Sequence, residues 1–190
     1  MTTDPLAFSL PEDFTVSRSS AQLINQDSGN VEYYTDPKIL AAAREVMGWI
    51  DLDPASTAEA NVFVQAEEFL NKEMDGLKIP WHGNVWLNHP FSREENAYWI
   101  SRLVNQYESG NTRQSLNITF AATSEKWFQP LAQHPQCYLS PRTNYFLPDG
   151  TKKTGVTKGS VVTYIGPNWN DFYRVFRTFG ICKAEMSWLW

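Results

Sequence analysis

Short apolar runs alternate along this chain with longer amphipathic stretches, and nothing else in the sequence restricts the fold as much. Asp36-Pro37 followed by Ile39, Leu40, Ala43, Val46 and Met47 predicts a helix, capped by Asp36 and stopped by Gly48. Trp49 to Asp53 reads as a short buried strand ending in acids, while Ala60 to Leu70 fits strand and helix equally. Asn84-Val85-Trp86-Leu87 is a strand opened by His82-Gly83. A helix from about Glu94 to Tyr107 follows, with Ala97, Ile100, Leu103, Val104 and Tyr107 on one face. Ser115 to Ala121 and Cys137 to Leu139 read as strands flanking a helix capped by Ser124. Asn144 to Gly159 reads as a polar loop or hairpin. Ser160 to Ile165 shows strand alternation, and Asn168 to Phe179 reads as a helix closed by Gly180. Strands alternating with helices imply an α/β fold, a mostly parallel sheet flanked by helices on both faces. Ligands of such sheets lie beyond the carboxyl ends of the strands.

The chain of 190 residues suits one domain with a real core, here residues 31–190, preceded by a polar arm over 1–30. No apolar run approaches the ~20 residues of a membrane span, and Met1 to Leu10 lacks the pattern of a signal peptide, so a cytoplasmic protein is expected. Cys137 and Cys182 stand far apart, and His82, His89 and His134 lack ligand spacing, so no metal is expected. The trio Trp99, Trp127 and Phe128 reads as core. The net charge of −5 is unevenly spread, with −10 over residues 1–76 and +5 over 77–190. A chain divided in this way can present a basic face despite an acidic balance.

Asn88-His89-Pro90-Phe91 directly follows the strand Val85-Trp86-Leu87. The strand end delivers the Asn88 carboxamide to the crevice. Pro90 fixes its own φ near −65° and biases His89 towards an extended backbone, which aims the His89 carbonyl. Phe91 adds a flat apolar surface. Two acceptors beside a ring suit a planar substrate with an exocyclic NH2 group. A turn begun by Asn, which any protein can contain, fits the same residues.

Several blocks, taken in order, carry a resemblance: Glu32-Tyr33-Tyr34-Thr35-Asp36-Pro37, Ile50-Asp51-Leu52-Asp53-Pro54-Ala55-Ser56, Asp75-Gly76-Leu77, Trp81 to Asn88, and Ala122 to Phe128. With these the chain resembles the phage-type DNA N6-adenine methyltransferase (Dam) family over most of residues 31–180. The resemblance implies a Rossmann-like class I methyltransferase fold, S-adenosylmethionine as cofactor, and duplex DNA with a flipped adenine as partner. It also implies a phage or prophage setting and a restriction-modification context. By resemblance, Asn88 and the His89 carbonyl take the target amino group, Pro90 shapes the turn, and Phe91 stacks on the base. Tyr34, Thr35 and Pro37 would line the methionine end of the cofactor. Asp51 or Asp53 would meet its α-amino group or ribose, Pro54, Ala55 and Ser56 would allow close approach, and Asp75 would face its adenine. Arg142, Lys152, Lys153 and Lys158 would contact phosphate, with Asn144 and Tyr145 at base edges. This chain carries His at 89 where the family usually has Pro, Asp at 36 where it has Pro, and no Gly-x-Gly loop after Asp53. Two other readings stay open: methylation of RNA bases or protein glutamine, and a DNA-binding relative without activity.

Overall fold

The computed structural model describes residues 33–92, 94–147, 150–153, 156 and 158–183, so the expected arm over 1–30 lies outside the described residues. Helix α1 spans Pro37–Met47 and is capped as its sequence requires: the Asp36 carboxylate accepts from the Lys38 amide at 2.9 Å, and Gly48 ends it at φ 84°. Strand β1 (Ile50–Asp53) follows at once.

The ambiguous stretch after it proves to be two elements, α2 (Ala58–Val64) and β2 (Ala66–Phe69), switched at the single residue Gln65 in the left-handed region. The Asn61 carboxamide holds this corner, donating to the Ala66 carbonyl and accepting from its amide. Periodicity cannot reveal such a switch, because each piece is shorter than one period-reading window.

Strand β3 (Gly83–Leu87), helix α3 (Asn96–Glu108) and strand β4 (Thr112–Phe120) form the centre of the fold. The inward face of α3 runs through Asn96, Trp99, Ile100 and Leu103, while Ala97 is exposed. The expected helix after Ser124 is a 3-10 helix (Lys126–Gln133) without a side-chain cap. It contains Pro130, whose missing N–H and ring are incompatible with an α-helical interior. Phe128 is fully buried and Trp127 packs beside it at partial exposure.

Strands β5 (Gln136–Leu139), β6 (Tyr145–Phe146), β7 (Lys152–Lys153) and β8 (Ser160–Ile165), helix α4 (Trp169–Phe176) and strand β9 (Gly180–Lys183) complete the order. Gly180 opens β9 and does not close α4, which already ends at Phe176. A side chain at 180 would collide with the Tyr138 carbonyl on β5, so this close pairing needs glycine.

Seven strands form one sheet in the order β2-β1-β3-β4-β8-β5-β9, and β6-β7 form a separate hairpin. Neighbours from β2 to β4 pair in parallel, whereas β8 runs antiparallel to β4 and β5, and β9 antiparallel to β5. Five of the seven strands therefore point one way, as the alternation implied, with β8 and β9 reversed. All six residues of β8 are buried, because the strand lies inside the sheet and is covered on both faces. One face packs Trp86, Leu116, Ile118 and Val162 against α1 and α4. The other packs Val85, Leu87, Val161 and Ile165 against α3 and the 3-10 helix. No described helix is long and apolar enough to cross a membrane.

Candidate active site

Because β1, β3 and β4 are parallel, their carboxyl ends bring Asp53, Asn88 and Phe120 to one edge of the sheet, joined by the first residue of antiparallel β8. A cavity of about 570 Å³ opens there, within the ~300–1,000 Å³ usual for cofactor sites. Tyr34 and Thr35, the loop Asp53-Pro54-Ala55-Ser56, Asp75, and all four residues Asn88 to Phe91 line it.

The Asn88 side chain is fixed by a partner the sequence does not reveal. Its amide nitrogen donates to the Tyr33 carbonyl at 2.7 Å. A carbonyl can only accept, so this contact assigns the nitrogen and turns Oδ1 the other way. Oδ1 is buried and has no protein partner among the described residues. Tyr33 contributes only backbone, which explains why no sequence signal marks it.

Phe91 is buried against Phe120 (centroids 4.5 Å apart) and lies edge-on to Tyr145 at 5.7 Å. It also forms the wall shared with a second cavity of about 570 Å³, which is lined by Asn96, Thr119, Phe120 and Lys158 among others. Lys158 lies over the Phe120 ring, with its ammonium 5.3 Å from the centroid.

His89 is 1% exposed. Its Nδ1 lies 2.9 Å from the Pro90 carbonyl, so Nδ1 carries the proton and Nε2 the lone pair. Burial pushes the imidazole pKa down to about 4, against a smaller upward pull from the Pro90 carbonyl, and the ring is neutral.

Asp53 is 2% exposed, and burial raises its carboxyl to about 7 although the Ala55 amide, 3.2 Å away, favours the anion. Thr35 Oγ1 is buried without a partner among the described residues, and the Tyr34 hydroxyl is tied to Thr57 at 2.8 Å. The cavity therefore holds an anion-capable carboxyl and several unpaired polar atoms along one wall.

Three expectations need correction. Asp51 does not line the cavity. It sits two residues back along β1, roughly 7 Å from the strand end at ~3.3 Å per residue. Its carboxylate accepts from the Asn84 amide, Trp49 Nε1 and Arg113. Burial alone would raise its pKa, but these donors outweigh burial and hold it below the usual range. Pro37 is exposed at the start of α1 and does not line the cavity either, since its place is fixed by helix initiation. Tyr145 is 2% exposed with its hydroxyl bonded to Ser160 at 2.8 Å, so it supports Phe91 from below and offers nothing to a base edge. Asp75 lines the cavity, in the place expected of it, and its carboxylate meets Lys78 at 2.8 Å and accepts from the Leu77 amide at 3.2 Å. The lysine holds that carboxyl below the usual range.

Arg142, Lys152 and Lys158 are exposed, and Asn144 is half-buried beside them. The hairpin β6-β7 that carries Lys152 and Lys153 is stapled to the cavity wall. Tyr34 and Phe146 exchange both backbone hydrogen bonds, at 2.8 and 2.9 Å. Among the described residues no group of three His, Cys, Asp or Glu could hold a metal ion.

A doubly covered sheet with this strand order and a ligand cavity across its carboxyl edge defines a Rossmann-like methyltransferase fold. Residues 26–180 match the family described as DNA N-6-adenine-methyltransferase (Dam), and the chain belongs to that family. It is thereby a DNA adenine methyltransferase. No curated protein and no solved structure matches the chain.

Proposed function

We propose that this chain transfers a methyl group from S-adenosylmethionine to N6 of an adenine flipped out of duplex DNA, using Asn88-His89-Pro90-Phe91. The observation that carries the reading is the Asn88 oxygen, buried, unpaired and aimed by the Tyr33 carbonyl at the cavity edge. The cavity suits the cofactor in volume and in its unpaired groups, with Asp53, Thr35 and the Pro54-Ala55-Ser56 loop along one wall. When bound, the cofactor supplies an electrophilic methyl on a sulfonium leaving group.

The residues of this chain do the rest. The lone pair of an adenine N6 is delocalised into the ring and is a poor nucleophile. Accepting both N–H bonds, at Asn88 Oδ1 and the His89 carbonyl, favours a pyramidal nitrogen whose lone pair is free for attack. Phe91 holds the ring plane, and such stacking supplies roughly 1–3 kcal/mol against the few kcal/mol of flipping. The neutral imidazole of His89 adds no positive charge to a cavity that would take a cationic cofactor. Asp53, ionised on binding, would hold the α-ammonium or the ribose hydroxyls. Arg142, Lys152, Lys153 and Lys158 would grip phosphates, and Asn144 is the remaining candidate for a base edge. The functional unit is a single domain over residues 31–190, acting in the cytoplasm.

Tritium transfer from labelled cofactor to duplex DNA, with digestion to nucleosides, tests the proposal. Label in N6-methyladenosine of DNA supports it. Label confined to RNA or to protein glutamine replaces the substrate, and cofactor binding without any transfer leaves only an inactive relative.

A further inference from the structure

Asn88, His89, Pro90 and Phe91 divide the cavity floor into two flanks. Asn88 turns to Tyr33, and Phe91 turns to Phe120 and Tyr145. The His89 ring packs between Phe91 and α3. It lies perpendicular to Phe91 (81°) and parallel to Trp99 on α3 (8°, centroids 6.5 Å apart). Trp99 in turn stacks on Trp81, and its ring lies against Gly76, so this flank adjoins the Asp75-Gly76-Leu77 turn.

On this flank His89 Nε2 is buried and has no partner among the described residues. Its tautomer is not free to change, because Nδ1 must donate to the Pro90 carbonyl. The flank therefore presents a fixed lone pair. Trp99 Nε1, a donor, is equally buried and without a partner, and both residues line the cavity. Leaving a buried acceptor unpaired is costly, about 1–3 kcal/mol, so an unpaired lone pair beside a ligand cavity calls for a ligand donor. The competing acceptor nearby, Asp75, is half-exposed and neutralised by Lys78.

The geometry points to His89 Nε2 as the acceptor for the exocyclic amino group of the cofactor's adenine, a role distinct from the one its backbone carbonyl plays towards the target base. The inference rests on the reading of this cavity as the S-adenosylmethionine site. A 6-aminopurine edge presents one donor beside one acceptor, which complements the orphaned acceptor and donor of this flank. The parallel stacking of His89 on Trp99 holds the plane of the imidazole, and with it the direction of the Nε2 lone pair. A proline at 89 would keep the carbonyl and remove this contact, so the histidine adds a cofactor contact that the family's usual residue lacks.

The test compares two ligands by calorimetry on the full chain: S-adenosylhomocysteine and its purine-riboside analogue, which lacks only the 6-amino group. Wild type is expected to bind the analogue about tenfold more weakly, the size of one hydrogen bond lost from a buried acceptor. In His89→Phe, which keeps a flat ring without an acceptor, the parent ligand should weaken about tenfold and the preference should vanish. His89→Gln, which restores an acceptor, should recover part of it. Should His89→Phe fail to fold, the 15N resonance of Nε2 in wild type should move on binding the parent and stay in place with the analogue. Equal affinity of wild type for both ligands overturns the inference and leaves the cofactor site standing. So does a tenfold preference that survives in His89→Phe, or one that follows removal of a ribose hydroxyl. Absence of any binding to wild type overturns the cofactor reading and this inference with it.

Discussion

Asp53 shows how a buried carboxyl works against the stability of the fold that carries it. Its carboxyl is 2% exposed and titrates at about 7 in the unligated protein, against 3.8 for the free group. Between those values the native chain holds a proton that the unfolded chain has lost. The sign follows from linkage: the native state is favoured at low pH, and stability falls as pH rises from about 4 through about 7. Each pH unit inside that window costs about 1.4 kcal/mol. Asn has the same shape and no charge, so Asp53→Asn should gain on wild type by about 2.7 kcal/mol between pH 5 and pH 8. For a domain of this size that corresponds to roughly 5–10 °C in Tm. Thermal melts of unligated wild type and Asp53→Asn at pH 5, 6, 7 and 8 measure it directly. The two curves should separate up to pH 7 and run parallel above it. A constant gap at every pH would refute the reasoning, since it would mean that Asp53 ionises normally in the native cavity. The stabilised variant should bind the cofactor at least tenfold more weakly at pH 8.

Three further outcomes follow from the geometry. Asn88→Ala should lower methyl transfer by ~10²–10³ while leaving cofactor affinity nearly unchanged, because the lost acceptor faces the target amino group; single-turnover transfer and calorimetry on the same sample check both halves. Lys152→Ala with Lys153→Ala should flatten the plot of log DNA affinity against log salt by roughly one to two units, and an unchanged slope would place the phosphate grip elsewhere. Gly76→Ala would drive a methyl into the Pro54 carbonyl and against Trp99, so a loss of roughly 1–3 kcal/mol in urea unfolding and a weakened cofactor site are expected.

What the sequence made legible was whatever depends on neighbours along the chain. Helix α1 could be read from its Asp-Pro start and its glycine stop, and β3 with Asn88 at its tip from an apolar run followed by a turn. The alternation of such pieces sufficed for the α/β class. What stayed hidden was set by residues distant in sequence. Asp51 looks as available as Asp53 until Arg113, 62 residues on, reaches back to claim its carboxylate. Tyr145 has the look of a loop residue, yet docking of the hairpin buries it under Phe91. Strand β9 carries no strong apolar pattern, because its residues alternate between half-buried and exposed at the sheet edge. Cys137 and Cys182, remote in sequence, end directly opposite each other on β5 and β9. His89 could be recognised as a departure, but its Nδ1 contact with the Pro90 carbonyl and its lack of an Nε2 partner among the described residues emerge only in three dimensions.

The staple between Tyr34 and Phe146 has a bearing on how this enzyme would be tuned. Phe146 itself pairs with Lys152 across the hairpin, and one backbone step from Tyr34 the Tyr33 carbonyl holds the Asn88 carboxamide. Grip and aim thus share a lever only a few residues long. A hairpin change that alters how the protein seats on its substrate would be expected to shift the carboxamide as well, so affinity and turnover would drift together under mutation. Selection acting on either trait would carry the other along, and variants specialised for tight holding without fast turnover would have to arise through the remaining basic positions, Arg142 and Lys158.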